Sequence, residues 1–284
     1  ILDREGCEIH ALVRPGSRRD NIRDIESKIG FLEGNLTSPE SWVDAVGRIR
    51  PDICIHLAWQ TTAGVYLFSP ENLNLVGATL LLARRLSEIG CKKMVSVGTC
   101  FEYDTSQGVL SEKSLTRPHT LYGASKLAVH QVLEHYARHA RMEMVWPRLF
   151  YIYGPCEFER RLVPTLIRAH IAGTRAELTS GEKVRDYLHV EDVASAIWSV
   201  ARSDLAGPVN VGSGAAVTIR DIAGKISSMS GRTDLATFVA MPDDPSDPRK
   251  VVADNRRLLS TGWKPAYTLE DGLRQTFEWW KRTG

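Results

Sequence analysis

No stretch of this 284-residue chain approaches the roughly 18 consecutive apolar residues that a membrane-spanning helix needs. No signal-peptide pattern is visible at its start either. A soluble, cytoplasmic protein is the expectation. Paired cysteines are also lacking: Cys7, Cys54, Cys91, Cys100 and Cys156 are scattered, without a C-x-x-C among them. That spacing argues against a zinc ribbon or a disulfide framework and for reduced thiols. There is no long basic run, and 36 Lys and Arg are nearly balanced by 34 Asp and Glu, for a net charge of +2. Nucleic acid and membrane surfaces are therefore not expected partners, while anionic small molecules stay open. Neither a G-x-S-x-G elbow nor a Walker loop occurs, which speaks against a hydrolase or an NTPase. His130, His135 and His139 contain an i, i+4 pair but no H-E-x-x-H and no clear third ligand, so no metal site is expected. Two further things are missing: an initiator methionine, and any G-x-x-G-x-x-G or G-x-G-x-x-G turn.

What is present is an ordinary globular composition, 43% hydrophobic, in a chain long enough for one large α/β domain or two coupled ones. Periodicity predicts strands over Cys7–Val13, Ile53–Leu57, Met94–Val97 and Met144–Phe150. Between them it predicts helices over Ser38–Val46, Glu71–Ile89 and Ser125–Ala140. The second helix places Leu73, Val76, Leu80 and Ala83 on one stripe. Alternation of this kind predicts a doubly wound parallel sheet. Beyond Pro155 the pattern loosens, with helices over Val163–Ala172, Asp192–Ala201 and Ile219–Ser228 and a short strand over Pro208–Val211. No internal repeat or low-complexity tract appears.

One spacing carries chemistry. Thr120-Leu-Tyr-Gly-Ala-Ser-Lys126 puts Tyr122 and Lys126 one helical turn apart, on one face. An ammonium beside a phenol favours the phenolate, which suits proton exchange during alcohol–ketone interconversion. Thr99 ends a β-rich run twenty-three residues before Tyr122, and Arg148-Leu-Phe-Tyr-Ile-Tyr-Gly-Pro155 ends a second one. With Pro51-Asp-Ile-Cys-Ile-His-Leu-Ala58, Asn74, Arg185-Asp-Tyr-Leu-His-Val-Glu-Asp192, Asn210-Val-Gly-Ser-Gly214 and Gly262-Trp-Lys-Pro265, these motifs run in order along nearly the whole chain. The sequence resembles the extended short-chain dehydrogenase/reductase family, the nucleotide-sugar epimerases, dehydratases and reductases.

The resemblance implies a Rossmann-type dinucleotide-binding domain over residues 1–155 and a smaller, mainly substrate-binding domain over 156–284, with about 185–212 returning to the first. It implies a strand and a glycine-rich pyrophosphate turn ahead of Ile1, about 20 residues by the size of a strand–turn–helix start. It also implies a catalytic set in which Thr99 binds the substrate oxygen, Tyr122 exchanges its proton, and Lys126 lowers the tyrosine pKa and binds nicotinamide ribose. Tyr122, Lys126, Leu57 and Ala58 would line the cofactor cleft. His56 would matter less than the backbone around it. Arg14, Ser17, Arg18 and Arg19 stand where NAD-preferring relatives carry an acid, and favour a 2′-phosphate; NADP is the expected cofactor, with NAD the alternative. Asn35 falls near the expected adenine, or is a turn residue. Asn74 either holds a local helix or a water near Lys126, or is a surface amide. Arg185 and Arg249 resemble positions that grip a nucleotide diphosphate, or are salt-bridged arginines; Tyr187 and His189 are core or lining.

Dehydratase relatives carry Asp-Glu after the threonine, whereas Cys100 and Phe101 stand here and Glu102 comes one residue late, facing the other side. The resemblance therefore points to an NAD(P)-dependent reductase of a 4-keto-6-deoxy sugar nucleotide, as a homodimer. A nucleotide-sugar 4-epimerase and a non-catalytic dinucleotide-binding regulator are the alternatives.

Overall fold

A computed structural model describes residues 6–239 and 247–283 of the chain. In chain order the first half contains β1 (Ile9–Val13), a 3-10 segment (Asp20–Lys28), β2 (Ile29–Glu33), α1 (Val43–Ile49), β3 (Ile53–His56), α2 (Glu71–Glu88) and β4 (Lys93–Ser96). Then follow β5 (Gly98–Thr99), β6 (Val109–Leu110), α3 (Leu121–Ala140), β7 (Glu143–Leu149) and β8 (Tyr151–Tyr153). The second half adds α4 (Leu162–Ala172), β9 (Ala176–Leu178), β10 (Val184–Arg185), β11 (Tyr187–His189), α5 (Val190–Arg202), β12 (Gly207–Val211) and β13 (Val217–Thr218). It closes with α6 (Ile219–Ser230), β14 (Ala236–Phe238), β15 (Lys250–Ala253), α7 (Arg256–Leu259) and α8 (Leu269–Thr283).

The central sheet has the order β12-β7-β4-β3, all parallel, with β5 continuing on β7. β1 and β2 form a separate parallel pair. Period-2 alternation explains how the sheet carries two cores. Met94, Met144 and Trp146 point to one face, against Leu75, Leu82, Leu86, Val129 and Leu133 of α2 and α3. Val95, Val145, Val209 and Val211 point to the other, against Val193, Ala196, Ile197 and Val200 of α5. The fold is thus a doubly wound α/β sheet, with helices on both faces. A third core joins α4, α6 and α8 through Leu166, Ile167, Ile222, Ile226 and Leu273.

Local sequence sets several boundaries. The Thr120 hydroxyl accepts from the Gly123 N–H at 3.1 Å and starts α3 four residues before the expected Ser125. α6 starts on a reciprocal Thr218–Asp221 cap and stops at Gly231, in the left-handed region. Two expectations need correction. The α2 stripe that turns inward is Leu75, Ala78, Thr79, Leu82, Ala83 and Leu86, while Leu73 is 60% exposed. Apolar residues surround this helix, so periodicity admits two stripes, and the small Ala78 and Thr79 are what fit beside His56, which contacts the Thr79 hydroxyl at 3.0 Å. The run beginning at Ile53 is not uniformly buried: Ile53 is exposed and Cys54 half-buried, because β3 borders only β4 among the described residues.

Candidate active site

Thr99, Tyr122 and Lys126 come together at the carboxyl ends of the central strands, all buried. The Thr99 hydroxyl lies close enough to the Tyr122 phenol to favour its ionised form. Lys126 Nζ donates to the Val97 carbonyl at 2.7 Å and lies 3.9 Å from the centre of the Trp59 ring. Burial pushes the Lys126 pKa down to about 7, against a smaller upward pull from Glu102. Burial also pushes the Tyr122 phenol above its ordinary value, against the Thr99 hydroxyl that favours the phenolate. The expected depression of the tyrosine pKa is therefore not a property of the protein alone. A lysine near its midpoint at neutral pH is a weak local charge, and the desolvation of the phenol outweighs it.

Glu102 is what holds Thr99 in place. Its Oε1 accepts from the Thr99 N–H at 2.8 Å and the Trp146 indole at 2.9 Å, and its Oε2 accepts from Arg148 Nε at 2.7 Å. Carboxylate and guanidinium are both buried. The chain can pass this closely only at glycine: a Cβ on Gly98 would collide with the Trp146 indole nitrogen and the Glu102 carboxylate. The expectation that strand alternation turns Glu102 aside needs correction: Cys100–Glu102 is a 3-10 turn capped by Thr99, and Glu102 is held by its reciprocal bond to the Thr99 N–H and by Trp146 and Arg148. The Cys100 thiol is buried and pushed up to about 12 by that burial. Phe101 stands beside the site, its ring centre 6.4 Å from that of Tyr122.

The buried amide beside the site is Asn72, and of the two readings of Asn74 the structure shows the surface amide. Asn74 is exposed and binds Glu71 at 2.8 Å. Asn72 is buried, accepts from the Trp59 indole at 2.8 Å and donates to the Tyr66 and Ser69 carbonyls at 2.7 and 2.8 Å. It ties down the loop that lays Trp59 against Lys126 and brings Tyr66 within 4.9 Å of the Tyr122 ring. Trp59, Tyr66 and Asn72 had no signal in spacing, because each acts through a loop whose path is set by tertiary contacts.

The remaining candidates are dispersed more widely. Leu57 and Ala58 are exposed at the carboxyl end of β3, and His56 is buried with its pKa lowered to about 3 by desolvation and then by Lys126. In the basic loop, Arg18 pairs with Asp20 at 2.8 Å, and Arg19 with Glu26 and Glu33 at 3.1 Å each. Arg14 is exposed without an ion-pair partner among the described residues, and Ser17 is half-buried. Asn35 makes a turn, its side-chain oxygen accepting from the Thr37 N–H and hydroxyl at 3.3 and 3.1 Å. Arg185 is buried and already bonded to Asp247 at 2.6 Å, with the Tyr151 ring 5.3 Å away. Arg249 is exposed, and its carbonyl accepts from the Val184 N–H. His130 is buried against Trp146, whereas His135 and His139 are exposed. An open cleft of about 850 Å³ lies at the other end of the sheet, lined in part by Arg138, Met142, Pro208 and Arg257, and contains none of these residues.

The arrangement matches known proteins along its length. The chain is 26% identical to a UDP-glucose 4-epimerase from Rhizobium leguminosarum bv. trifolii, over 87% of this chain and 83% of that protein. It is 29% identical to a dTDP-glucose 4,6-dehydratase from Streptomyces griseus, over 84% and 75%. The structure of the UDP-glucose 4-epimerase of Thermus thermophilus in complex with NAD superimposes with a TM-score of 0.85 at 25% identity, covering 99% of this chain and 93% of that one. The sequence model of the NAD dependent epimerase/dehydratase family matches residues 1–212, the span that holds the whole central sheet and the Thr99, Tyr122 and Lys126 positions; the chain belongs to that family.

Proposed function

We propose that this protein is a nicotinamide-dependent oxidoreductase acting at C4 of a nucleotide-bound sugar, with net reduction of a 4-keto-6-deoxy sugar as its reaction. The observation that carries the reading is the Thr99–Tyr122 hydroxyl pair with Lys126 one turn further along α3, all buried at one end of the sheet. Thr99 polarises the sugar oxygen, and Tyr122 delivers or removes its proton. Lys126, once charged, lowers the phenol pKa. The residues present fit a dinucleotide: Leu57 is 61% exposed at a strand end where ligands bind in such sheets, one position past His56, which senses the Lys126 charge. Arg14, Ser17, Arg18, Asn35, Leu57, Ala58, Tyr122 and Lys126 would hold it, and the bound nicotinamide supplies the hydride. The named relatives include proteins that act on UDP-glucose and dTDP-glucose, which supports a nucleotide sugar, with Arg185 and Arg249 on its diphosphate.

Elimination of water is disfavoured. Phe101 offers no proton, the Cys100 thiol is buried and un-ionised, and Glu102 is committed to Arg148, Trp146 and Thr99. A homodimer fits Leu73 on α2 and Val132 on α3, both at least half-exposed. A 4-epimerase is the second reading, favoured by the ion pairs that occupy Arg18 and Arg19, since a 2′-phosphate then has Arg14 as the loop's unpaired cation among the described residues. Stoichiometry separates the two. A reductase given a 4-keto-6-deoxy sugar nucleotide oxidises one NADPH per product, whereas an epimerase inverts a 4-hydroxy sugar nucleotide with no net cofactor change. Inversion without cofactor consumption, and no NADPH oxidation on the 4-keto substrate, would replace the reductase by the epimerase.

A further inference from the structure

Side chains form a closed circuit that begins and ends at Tyr122. Tyr66 lies 4.9 Å from the Tyr122 ring, and the Arg161 guanidinium lies 5.3 Å from the Tyr66 ring centre. Glu157 is within electrostatic reach of both Arg161 and Tyr187. From Tyr187 the circuit returns through Tyr151 at 5.8 Å and Phe101 at 6.4 Å to Tyr122 at 6.4 Å. Most of this rim is aromatic, a surface that suits the C–H faces of a sugar ring, and its polar groups are phenol hydroxyls and the Arg161 guanidinium rather than carboxyls.

Glu157 is the exception. Its Oε2 is shielded from solvent and has no hydrogen-bond partner. Burial pushes its pKa up to about 8, over the opposing pull of Arg161, so the acid is largely un-ionised at neutral pH. The turn that presents it is strained: Cys156, just before it, has φ of +63°. Leaving a buried polar group without a partner is costly, a cost that a ligand can remove.

We propose that Glu157 is a specificity-determining residue of the site, its Oε2 hydroxyl donating to an oxygen of a sugar bound within the circuit of side chains that joins it to Tyr122. This rests on the nucleotide-sugar reading above. The groups that face the carboxyl are Arg161 from the start of α4 and Tyr187 from β11; Tyr151, Arg185 and Asp247 lie behind Tyr187. Arginine stays charged and the buried phenols stay neutral over the range tested. The Lys126 shift comes from burial and Glu102 and not from Glu157, so differences between wild type and Glu157 variants report Glu157.

Binding of UDP-glucose and of dTDP-glucose, in the presence of NAD, is measured by calorimetry from about pH 6.5 to 9.5. Glu157→Ala should weaken binding about 10-fold, and Glu157→Gln, which keeps an N–H donor, should stay within about 3-fold. Wild-type affinity should fall relative to Glu157→Gln above about pH 8. Equal affinity of Glu157→Ala and wild type, or a Gln variant as weak as Ala, overturns the proposal and leaves the nucleotide-sugar reading intact. A wild type that binds neither sugar nucleotide overturns both. The ligand-free protein gives a separate readout. A folded-state pKa raised from 4.5 to about 8 makes wild type lose stability as pH rises through that interval, so Glu157→Gln should melt higher than wild type at about pH 9. Melting curves that run parallel across the whole range would refute the un-ionised acid.

Discussion

Glu102 and Glu157 are held in opposite ways. Every oxygen of Glu102 is bonded, to the Thr99 N–H, the Trp146 indole and Arg148, and the ion pair is sealed from water. One oxygen of Glu157 is sealed just as well and bonds to nothing. The same contrast holds for the cations: Arg148 has its carboxylate, whereas Lys126 has a carbonyl and an indole face and a pKa near neutrality. Satisfied buried charges rigidify the backbone that carries Thr99. Incompletely satisfied ones are what a substrate or cofactor can complete.

The largest test of this contrast removes the satisfied side. Glu102→Ala leaves Arg148 and Trp146 without their acceptor in a dry site, and should destabilise the protein by about 3–5 kcal/mol in urea unfolding. A loss below about 1 kcal/mol, the level of an exposed pair, would abolish the distinction. Next is Tyr122→Phe, which keeps the ring contacts with Tyr66 and Phe101 while deleting the exchangeable proton. Turnover should fall about 100-fold or more with a nearly unchanged unfolding midpoint, and near-normal turnover would remove Tyr122 as the acid.

Lys126→Met sharpens the comparison through pH. Burial lowers the lysine pKa from 10.5 to about 7, so the unfolded chain binds the extra proton between those values and wild-type stability rises with pH across that window. The variant should therefore melt above wild type at or below pH 7, with the advantage shrinking toward pH 10.5, while its turnover collapses. A pH-independent difference would mean that the ammonium is not buried as a charge. The smallest effect concerns the periphery. Arg14→Asp should move the ratio of catalytic efficiencies from NADP toward NAD by about 10-fold, since an acid repels the 2′-phosphate and accepts from the 2′-hydroxyl. An unchanged ratio would show that Arg14 plays no part in cofactor choice.

The offset of Tyr122 and Lys126 was legible in spacing, because one helical turn is a local property, whereas their reading as a set with Thr99 came from the family resemblance. Spacing misjudged what holds Glu102, since Cys100–Glu102 is a 3-10 turn in which strand alternation does not operate, and the bonds to Thr99, Trp146 and Arg148 set its direction. It did not put Asn72 ahead of Asn74, two amides on one helix separated by slightly more than a half-turn. That choice depends on which stripe of α2 faces the sheet, and the fit of Ala78 and Thr79 beside His56 decided it.

The order of strands and helices and the chemistry of the Tyr-Lys pair were thus determined by the sequence, as consequences of periodicity and capping acting within a few residues. The charge state of the pair was decided by tertiary structure, because desolvation depends on what covers a group and not on its neighbours in the chain. The ring of Tyr66, Phe101, Tyr151 and Tyr187 and the unpartnered oxygen of Glu157 were decided there as well. They join loops and strands up to about 120 residues apart, a separation over which no sequence period persists.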